Sequence, residues 1–247
     1  MNAVLSIENI GISYHDMSGE TCAISDISFS LYPGEFVAIV GPSGCGKSTL
    51  LTMIAGLLKP EHGKIETAEC KIGYMLQHDH LFEWRTIRKN VLLGPECNHE
   101  LTKEKRKLAD TLLTQYGLMP FAQKHPSELS GGMRQRAALI RTLVIEPNLL
   151  LLDEPFSALD YQTRLNVSDD IYQIIKKEHK TALLVTHDLS EAIALAERVI
   201  ILSKRPAIVK EILPIQLSVP KRTPITSRNA PEFKDYFNKI WKELNET

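Results

Sequence analysis

The stretch FVAIVGPSGCGKSTLL (residues 36–51) decides the fold, because three local patterns follow one another within it. The apolar run is typical of a buried strand, the glycine-rich segment predicts a tight loop, and the residues after Lys47 begin an amphipathic helix. Buried strands that alternate with helices form a parallel sheet that is covered on both faces. This stretch therefore predicts an α/β fold whose first parallel strand ends at Gly41.

Three further apolar runs have the same character and lie at residues 148–154, 181–187 and 198–203. Helical patterns separate them, which favours a doubly wound sheet. The first thirty-five residues differ, because SIENIGISY and ISDISFSLY alternate polar and apolar residues around the turn-like DMSGE (residues 16–20). This alternation predicts an antiparallel β layer beside the parallel sheet.

The rest of the chain divides by composition into two further parts. Residues 81–140 are charged, rich in helical patterns and without strand patterns, so we expect an inserted helical subdomain between core segments 1–80 and 141–205. Residues 206–247 form a proline-containing extension that ends in an amphipathic helix. We expect this helix to pack on its own domain, with partner binding as the alternative. Its apolar face consists of Phe233, Tyr236, Phe237, Ile240, Trp241 and Leu244.

Composition limits the classes of function and partner. A hydrophobic fraction of 43%, a charged fraction of 24% and a net charge of −1 are typical of a globular domain with no overall field to attract nucleic acid. Four widely spaced cysteines without a CxxC pair predict reduced thiols instead of a zinc site or disulfides. No apolar run approaches the roughly 18 residues that a membrane-spanning helix needs.

The glycine-rich segment matches the phosphate-loop pattern GxxxxGK[ST] after a strand and before a helix. Its backbone N–H groups and the helix N-terminus would surround a phosphate, and Lys47 would reach the β and γ oxygens of a nucleoside triphosphate. We expect Ser48 to bind Mg²⁺, Thr49 to approach the α-phosphate, and Cys45 to act as a spacer. The candidate nucleotide-binding residues here are Gly41, Pro42, Ser43, Gly44, Cys45, Gly46, Lys47, Ser48 and Thr49.

Two carboxylates end the strand LLLLDEP. Asp153 would be costly at the end of a leucine-rich strand unless it were paired, which favours a role in holding Mg²⁺ through water. Glu154 is its neighbour, and adjacent residues at a strand end point in different directions. Glu154 can therefore act as the base for a water that attacks the γ-phosphate.

Two further polar residues follow predicted strands. His187 ends the strand TALLVTH, and the carboxyl ends of parallel strands are where ligands bind in α/β sheets. We expect its imidazole to contact the γ-phosphate and to orient the water or Glu154. Gln77 follows KIGYML and could sense Mg²⁺ or the same water, although a surface glutamine fits the spacing equally well.

A second glycine-containing helix start occurs in LSGGMRQR (residues 129–136). Ser130 can cap the following helix, and Gly131 and Gly132 allow close backbone approach. One possibility is an ordinary capped helix. The other is an anion site that contacts the γ-phosphate bound by another copy of the chain.

Residues 7–203 resemble the ATP-binding-cassette ATPases in the order and separation of GPSGCGKST, Gln77, LSGGMRQR, LLLLDEP, SALD and His187. The resemblance implies a P-loop NTPase core of the RecA-like type, the cofactors ATP and Mg²⁺, and a homodimer. It also implies that Ser130, Gly131 and Gly132 contact the ATP of the partner subunit. SALD, which ends at Asp160, would link the two nucleotide sites, and Tyr14 would stack on adenine.

The resemblance also suggests a transport role. LFEWRTIRKNV and EAIALAERVIILSKRPA resemble the nitrate, sulfonate and taurine importer group, and importers of thiamine-precursor pyrimidines are an alternative within it. Leu81, Phe82 and Trp84 would form an exposed apolar patch that an integral membrane permease covers. An extracytoplasmic solute-binding protein would be an indirect partner, and the chain would lie at the cytoplasmic face of the membrane.

A second hypothesis keeps the ATPase and changes its partner. A cassette ATPase without a permease would act on nucleic acid or ribosomes, and nucleic acid would then stimulate its activity in a salt-sensitive manner. The near-neutral charge of the chain disfavours this hypothesis.

Overall fold

The computed structural model describes residues 2–16, 19–68 and 70–246. In chain order, the strands of this part are β1 (Leu5–Asp16), β2 (Gly19–Leu31), β3 (Phe36–Val40), β4 (His62–Thr67), β5 (Ile72–Met75), β6 (Leu149–Asp153), β7 (Thr181–Val185), β8 (Arg198–Leu202) and β9 (Ala207–Pro214). The α-helices of the same part are α1 (Lys47–Ile54), α2 (Ile87–Val91), α3 (Leu93–Cys97), α4 (Lys103–Gln115), α5 (Gly131–Leu143), α6 (Tyr161–Lys177), α7 (Leu189–Leu195), α8 (Pro224–Ser227) and α9 (Phe233–Asn245).

One twisted sheet runs through the molecule in the order β4-β1-β2-β9-β8-β3-β7-β6-β5. The strands β8, β3, β7, β6 and β5 pair in parallel, and each of the four apolar runs in the sequence forms one of them. All residues of β3 are buried. The α/β fold class predicted from the sequence is confirmed.

The side chains of β3 alternate between two hydrophobic cores. Phe36, Ala38 and Val40 belong to the core that contains residues of α5, α6 and α7. Val37 and Ile39 belong to the opposite core, which contains residues of α1, β1 and β2. Both faces of the sheet are therefore covered, which is why the strands read as continuous apolar runs.

The N-terminal β layer is antiparallel, as the alternating pattern predicts. β1 pairs with β2 on one side and with β4 on the other. The strand β9 pairs in parallel with β2 and antiparallel with β8, so it joins this layer to the parallel sheet. Residues 17 and 18 of the predicted DMSGE turn lie outside the described residues.

The chain between β5 and β6 forms the helices α2 to α5. Thr86, Thr102 and Ser130 cap α2, α4 and α5, because each side chain accepts a hydrogen bond from a backbone N–H in the first turn. Arg88 of α2 donates to both carboxylate oxygens of Asp110 in α4, at 2.6 and 2.9 Å. This bidentate pair fixes the two helices relative to each other.

The C-terminal helix α9 packs on its own domain, which confirms the favoured interpretation. Ile240 is fully buried, and Phe233, Tyr236, Phe237 and Leu244 pack against the core. Trp241 differs from the prediction, since it is 58% exposed and stacks on Phe237 with a ring separation of 6.3 Å. The buried stripe is narrower than the apolar pattern suggests, and Trp241 lies at its edge.

The four cysteines Cys22, Cys45, Cys70 and Cys97 are free thiols. Among the residues described, no helix combines the length and the apolar character that crossing a bilayer requires.

Candidate functional site

The site lies at one edge of the sheet, where the carboxyl ends of the five parallel strands meet. β3 leads into the phosphate-loop segment, β6 ends at Asp153, and β7 is followed by Thr186 and His187. β5 is followed by Gln77, and β8 by residues 203–206. Parallel pairing thus brings together residues that are far apart in the sequence.

The phosphate-loop segment connects β3 to α1. Gly46 has a φ of 113° at the N-cap of α1, and a Cβ there would lie 3.1 Å from Ile24. Glycine is required because this backbone region is unfavourable for other residues. The Lys47 Nζ donates hydrogen bonds to the carbonyl oxygens of Gly41 at 2.8 Å and Pro42 at 3.0 Å, so its ammonium group lies within the loop.

A cleft of about 260 Å³ opens above this loop. Burial raises the pKa of the nearby Cys45 thiol, so the thiol stays protonated and fits a spacer role. The residues that line the cleft are Ser43, Gly44, Gly46, Lys47, Ser48, Thr49, Glu154 and Arg205.

Asp153 faces the start of α1. Its carboxylate accepts hydrogen bonds from the Ser48 hydroxyl and from the Tyr74 hydroxyl, each at 3.4 Å. Burial raises the pKa of Asp153, whereas the Ser48 hydrogen bond lowers it. In the part of the chain that the structure describes, no basic side chain forms an ion pair with it. A desolvated carboxylate beside a hydroxyl is a donor set that fits Mg²⁺.

Glu154 points away from Asp153, as expected for adjacent residues at a strand end. Its φ of 44° is in the left-handed region, and its backbone N–H donates to the Val185 carbonyl at 2.8 Å. The carboxylate lies 3.0 Å from the His187 Nδ1 and accepts a hydrogen bond from the Gln77 amide at 3.3 Å. The structure therefore brings together three residues predicted from separate strands, in a strained backbone conformation of the kind that clusters at functional sites.

The segment LSGGMRQR lies at the start of α5, outside the residues that line the cleft. The Ser130 hydroxyl accepts a hydrogen bond from the Met133 N–H at 3.4 Å. Gly131 lies against Leu159 and Gly132 against α6, so close that a Cβ on Gly132 would be 2.7 Å from Val167. Within one chain, these glycines contact SALD (residues 157–160) and the helix after it, and not the phosphate loop.

SALD lies between the start of α5 and the group formed by Glu154, His187 and Gln77. The Gln77 amide approaches the Ser157 hydroxyl at 3.5 Å, and this hydroxyl donates to the Glu154 carbonyl at 3.0 Å. Asp160 caps α6 by accepting a hydrogen bond from the Thr163 N–H at 3.0 Å. The structure thus uses the Asp160 carboxylate for capping, and its predicted nucleotide contact stays a prediction.

Tyr14 lies beside the other end of the phosphate loop. Its exposed side chain is in β1, and its hydroxyl is 3.1 Å from the Thr49 hydroxyl. An exposed ring at this position is available for stacking. The predicted contact of Tyr14 with adenine stays a prediction.

The predicted apolar patch is smaller than the sequence suggests. Leu81 is buried in the core beneath α2 and does not belong to the surface. Phe82 and Trp84 are 36% and 75% exposed and stack at 4.7 Å. Trp84 also borders a groove of about 460 Å³ along α2, together with Arg85, Arg88, Lys89, Leu92, Glu96, Leu101 and Arg106.

Two residues at the site were not found from the sequence. Tyr74 donates to Asp153, and burial raises the pKa of its hydroxyl to about 12. Arg205 lines the cleft and donates to the Gly44 carbonyl at 2.7 Å. The strand-end rule that selected His187 and Gln77 also applies to Arg205, which follows the apolar run at residues 198–203.

Comparisons with known proteins bear on the family of this chain. Residues 24–157 match the family model described as ABC transporter. The ABC transporter ATP-binding protein YtlC of Bacillus subtilis, itself described as uncharacterized, is 45% identical over 98% of this chain and 95% of its own length. The aliphatic sulfonates import ATP-binding protein SsuB 1 of Pseudomonas savastanoi is 38% identical over 90% of this chain and 92% of its own. Among solved structures, the dimeric post-hydrolysis state of the ATP-binding cassette MJ0796, bound to ADP and Pi, aligns with a TM-score of 0.73 and 29% identity over 86% of this chain and 99% of that chain.

Proposed function

This chain belongs to the ABC transporter family of ATP-binding proteins, and from that membership we propose that it hydrolyses ATP to power uptake of a small solute through separate membrane subunits. The observation that carries the proposal is the convergence of His187 and Gln77 on the Glu154 carboxylate beside the cleft above the phosphate loop. This arrangement can position and activate a water next to a bound triphosphate.

The phosphate loop holds the triphosphate in this proposal. Its backbone N–H groups and the N-terminus of α1 stabilise negative charge. Lys47 is already oriented within the loop by the Gly41 and Pro42 carbonyls, and it turns its ammonium group to the β and γ oxygens. Tyr14 contributes affinity by stacking on the base, and Thr49 lies beside it near the α-phosphate.

Ser48 and Asp153 would hold Mg²⁺, the carboxylate through water, and Gln77 would approach it from β5. When bound, the ion would supply positive charge that neutralises the phosphate oxygens. Tyr74 orients the Asp153 carboxylate, because its protonated hydroxyl donates a hydrogen bond to it.

Glu154 acts as the general base in the proposed reaction. His187 lies 3.0 Å away and fixes the direction of the carboxylate, while its ring can also contact the γ-phosphate. The left-handed backbone of Glu154 turns this carboxylate to the cleft and leaves Asp153 facing α1.

A second copy of the chain completes each site. Ser130, Gly131 and Gly132 do not line the cleft of their own chain, which supports contact with the nucleotide of the partner. The solved relative MJ0796 is dimeric in its ADP-bound state. SALD contacts Gln77 through Ser157 and Gly131 through Leu159, and these contacts support a role in linking the two sites.

The membrane subunits would bind at Phe82, Trp84 and the adjoining groove along α2. Exposed, stacked aromatic rings beside a groove are suited to a partner helix. The relative named for aliphatic sulfonate import supports a small anion of that class as the solute. The chain would then lie at the cytoplasmic face of the membrane.

The test replaces the proposed base. Glu154→Gln removes the proton acceptor but preserves shape, so we expect turnover to fall about 10²- to 10⁴-fold. MgATP binding should persist, and the variant should accumulate as an ATP-bound dimer because hydrolysis no longer separates the protomers. Phosphate release and size-exclusion chromatography with and without MgATP measure the two effects.

Glu83→Gln is the matched control, since Glu83 is exposed and away from the cleft. It should retain the turnover and the oligomeric behaviour of the unmodified protein. Normal turnover by Glu154→Gln would exclude Glu154 as the base.

A further inference from the structure

Arg205 reaches the phosphate loop from the connection after β8, and no role at the site is predicted for it from the sequence. It lies in the connection between β8 and β9, and β8 is the direct sheet neighbour of β3. The Arg205 Nη2 donates a hydrogen bond to the Gly44 carbonyl at 2.7 Å, in the middle of the loop. The side chain also lines the cleft with Ser43, Lys47 and Glu154.

Most hydrogen-bonding capacity of this guanidinium is unused. A guanidinium has five N–H donors, and among the described residues Arg205 donates a hydrogen bond to the Gly44 carbonyl alone. Among the same residues no carboxylate forms an ion pair with Arg205. The residue is exposed, so an uncompensated positive charge with free donors faces the mouth of the cleft.

The cleft contains a second positively charged side chain besides Lys47 that could contact a bound phosphate. Lys47 and Arg205 are its positive side chains and Glu154 its negative one. The Lys47 ammonium is buried within the loop, whereas Arg205 stands at its outer side. A planar guanidinium matches the oxygens of a phosphate group better than an ammonium does.

We propose that Arg205 is a nucleotide-contacting residue, which holds the phosphate loop through the Gly44 carbonyl and donates its remaining N–H groups to the phosphate oxygens of the bound nucleotide. The proposal rests on the proposed function, because it assumes a triphosphate in the cleft. The proposal adds a positively charged side chain, supplied by the β8–β9 connection, to the nucleotide site.

The neighbouring Lys204 provides a matched control. It is also exposed and carries the same charge, but its contact is through the backbone. Its carbonyl accepts a hydrogen bond from the Ser203 hydroxyl at 2.8 Å. Lys204 does not line the cleft. If nucleotide binding depended only on the total positive charge near the cleft, substitution of either residue would weaken it. If it depended on a specific contact, only substitution of Arg205 would do so.

The experiment compares Arg205→Gln, Arg205→Lys and Lys204→Gln with the unmodified protein. Isothermal titration calorimetry measures the affinity for the magnesium complex of AMP-PNP, which is not hydrolysed. We expect Arg205→Gln to bind roughly 10- to 100-fold more weakly, as for loss of a charge-assisted hydrogen bond. Arg205→Lys keeps the charge without the planar fork and should lose less. Lys204→Gln should remain within about 2-fold of the unmodified protein.

Steady-state kinetics separate a direct contact from a purely structural role. Loss of a ground-state phosphate contact raises KM for MgATP and leaves kcat nearly unchanged. A displaced loop would misplace Lys47 and Ser48 and would lower kcat instead. Thermal unfolding without nucleotide shows whether each variant is folded.

The outcomes distinguish this inference from the proposed function. If the unmodified protein binds AMP-PNP but Arg205→Gln binds it equally well, the inference is wrong and the proposed function stands. A loss confined to kcat also overturns it. If the folded, unmodified protein does not bind the analogue at all, the proposed function itself is wrong.

Discussion

At the scale of single residues, Glu191 is a buried carboxyl group directly behind the loop that carries His187. It is 3% exposed and accepts a hydrogen bond from the Thr186 hydroxyl at 2.7 Å. Arg164 is 3.9 Å away, too far for a close ion pair to compensate the burial. Burial raises the pKa of Glu191 from 4.5 to about 7.

This raised pKa predicts how stability changes with pH. Between pH 4.5 and about 7 the unfolded chain releases the Glu191 proton while the folded chain retains it. The free energy of unfolding therefore falls as pH rises through this range, by up to about 3 kcal/mol, and is constant above it. Glu191→Gln cannot titrate, so the unmodified protein should lose stability relative to this variant between pH 5 and 7. Urea denaturation at a series of pH values measures the difference.

Glu20→Gln serves as the control, because Glu20 is exposed. Its stability should follow the unmodified protein at every pH in the series. A constant difference between Glu191→Gln and the unmodified protein would show that Glu191 does not titrate in this range.

Motif residues can be predicted from the sequence, but their supporting residues cannot. Lys47, Asp153 and Glu154 stand in patterns whose chemistry requires those residue types. Tyr74 and Glu191 have no such pattern, since each acts through a contact that only the folded chain creates. A buried glutamate within an apolar helix pattern is indistinguishable in sequence from one at the helix surface.

At the scale of elements, α5 and α6 are in close contact at Gly132. A Cβ at this position would be 2.7 Å from the Val167 Cγ2 and 3.3 Å from the Thr163 Cγ2. The other end of α5 is held by Arg141, which donates to the carbonyls of Asp79 and His80 at 2.6 and 2.7 Å. Contacts near both ends of α5 therefore fix its position in the domain.

Gly132→Ala should destabilise the protein by about 1–3 kcal/mol, because the new methyl group overlaps a packed valine. Val167→Ala removes the overlapping Cγ2 atom. The double variant should therefore be more stable than the sum of the two single changes predicts, by at least about 0.5 kcal/mol. Equilibrium denaturation of the four proteins measures this coupling.

Additive effects of the two changes would contradict the proposed contact between Gly132 and Val167. The result does not depend on nucleotide binding, since the measurement uses the protein alone.

The elements that were predicted well are those whose local pattern and final burial agree. The strands β3, β6 and β7 are buried throughout, and β8 is buried after Arg198, in agreement with their predominantly apolar sequences. Leu81 is buried although the sequence predicts it at the surface, because its segment has no periodicity to show which side chain faces the core. The pairing of β9 with both β2 and β8 also has no local signal, since it depends on the neighbours that tertiary structure provides.

At the scale of the whole molecule, the proposed sharing of sites between protomers predicts complementation. Lys47→Ala disables the site that contains the phosphate loop of the variant protomer. Ser130→Arg disables the other kind of site, in which the variant protomer contributes Ser130 to the phosphate loop of its partner. A dimer with one of each contains one intact site. If each site turns over independently, an equimolar mixture should regain up to about a quarter of normal turnover, since half of randomly mixed dimers have this composition.

Each variant alone should be nearly inactive, and the gain should depend on MgATP and on protein concentration. A mixture that is no more active than the two variants measured separately would exclude shared sites.

The sequence alone leaves the choice between an ordinary helix cap and a shared site open. One chain satisfies the Ser130 hydroxyl by capping, and nothing in LSGGMRQR specifies a second copy. The expectation that a second copy completes the site comes from resemblance to a family of dimeric cassettes. An interface depends on the surfaces of both copies, and a motif in one sequence does not show how two copies meet.

The position of β3 in the sheet has a consequence for how the chain is made. β3 is complete by residue 40, yet its partners β7 and β8 begin at residues 181 and 198. During translation, this fully apolar strand therefore stays unpaired until most of the polypeptide, including β7 and β8, has been synthesised. Such long-range strand pairing is slow, and until it occurs hydrophobic surface stays exposed to solvent. A nascent chain should thus depend on molecular chaperones until its last third has left the ribosome.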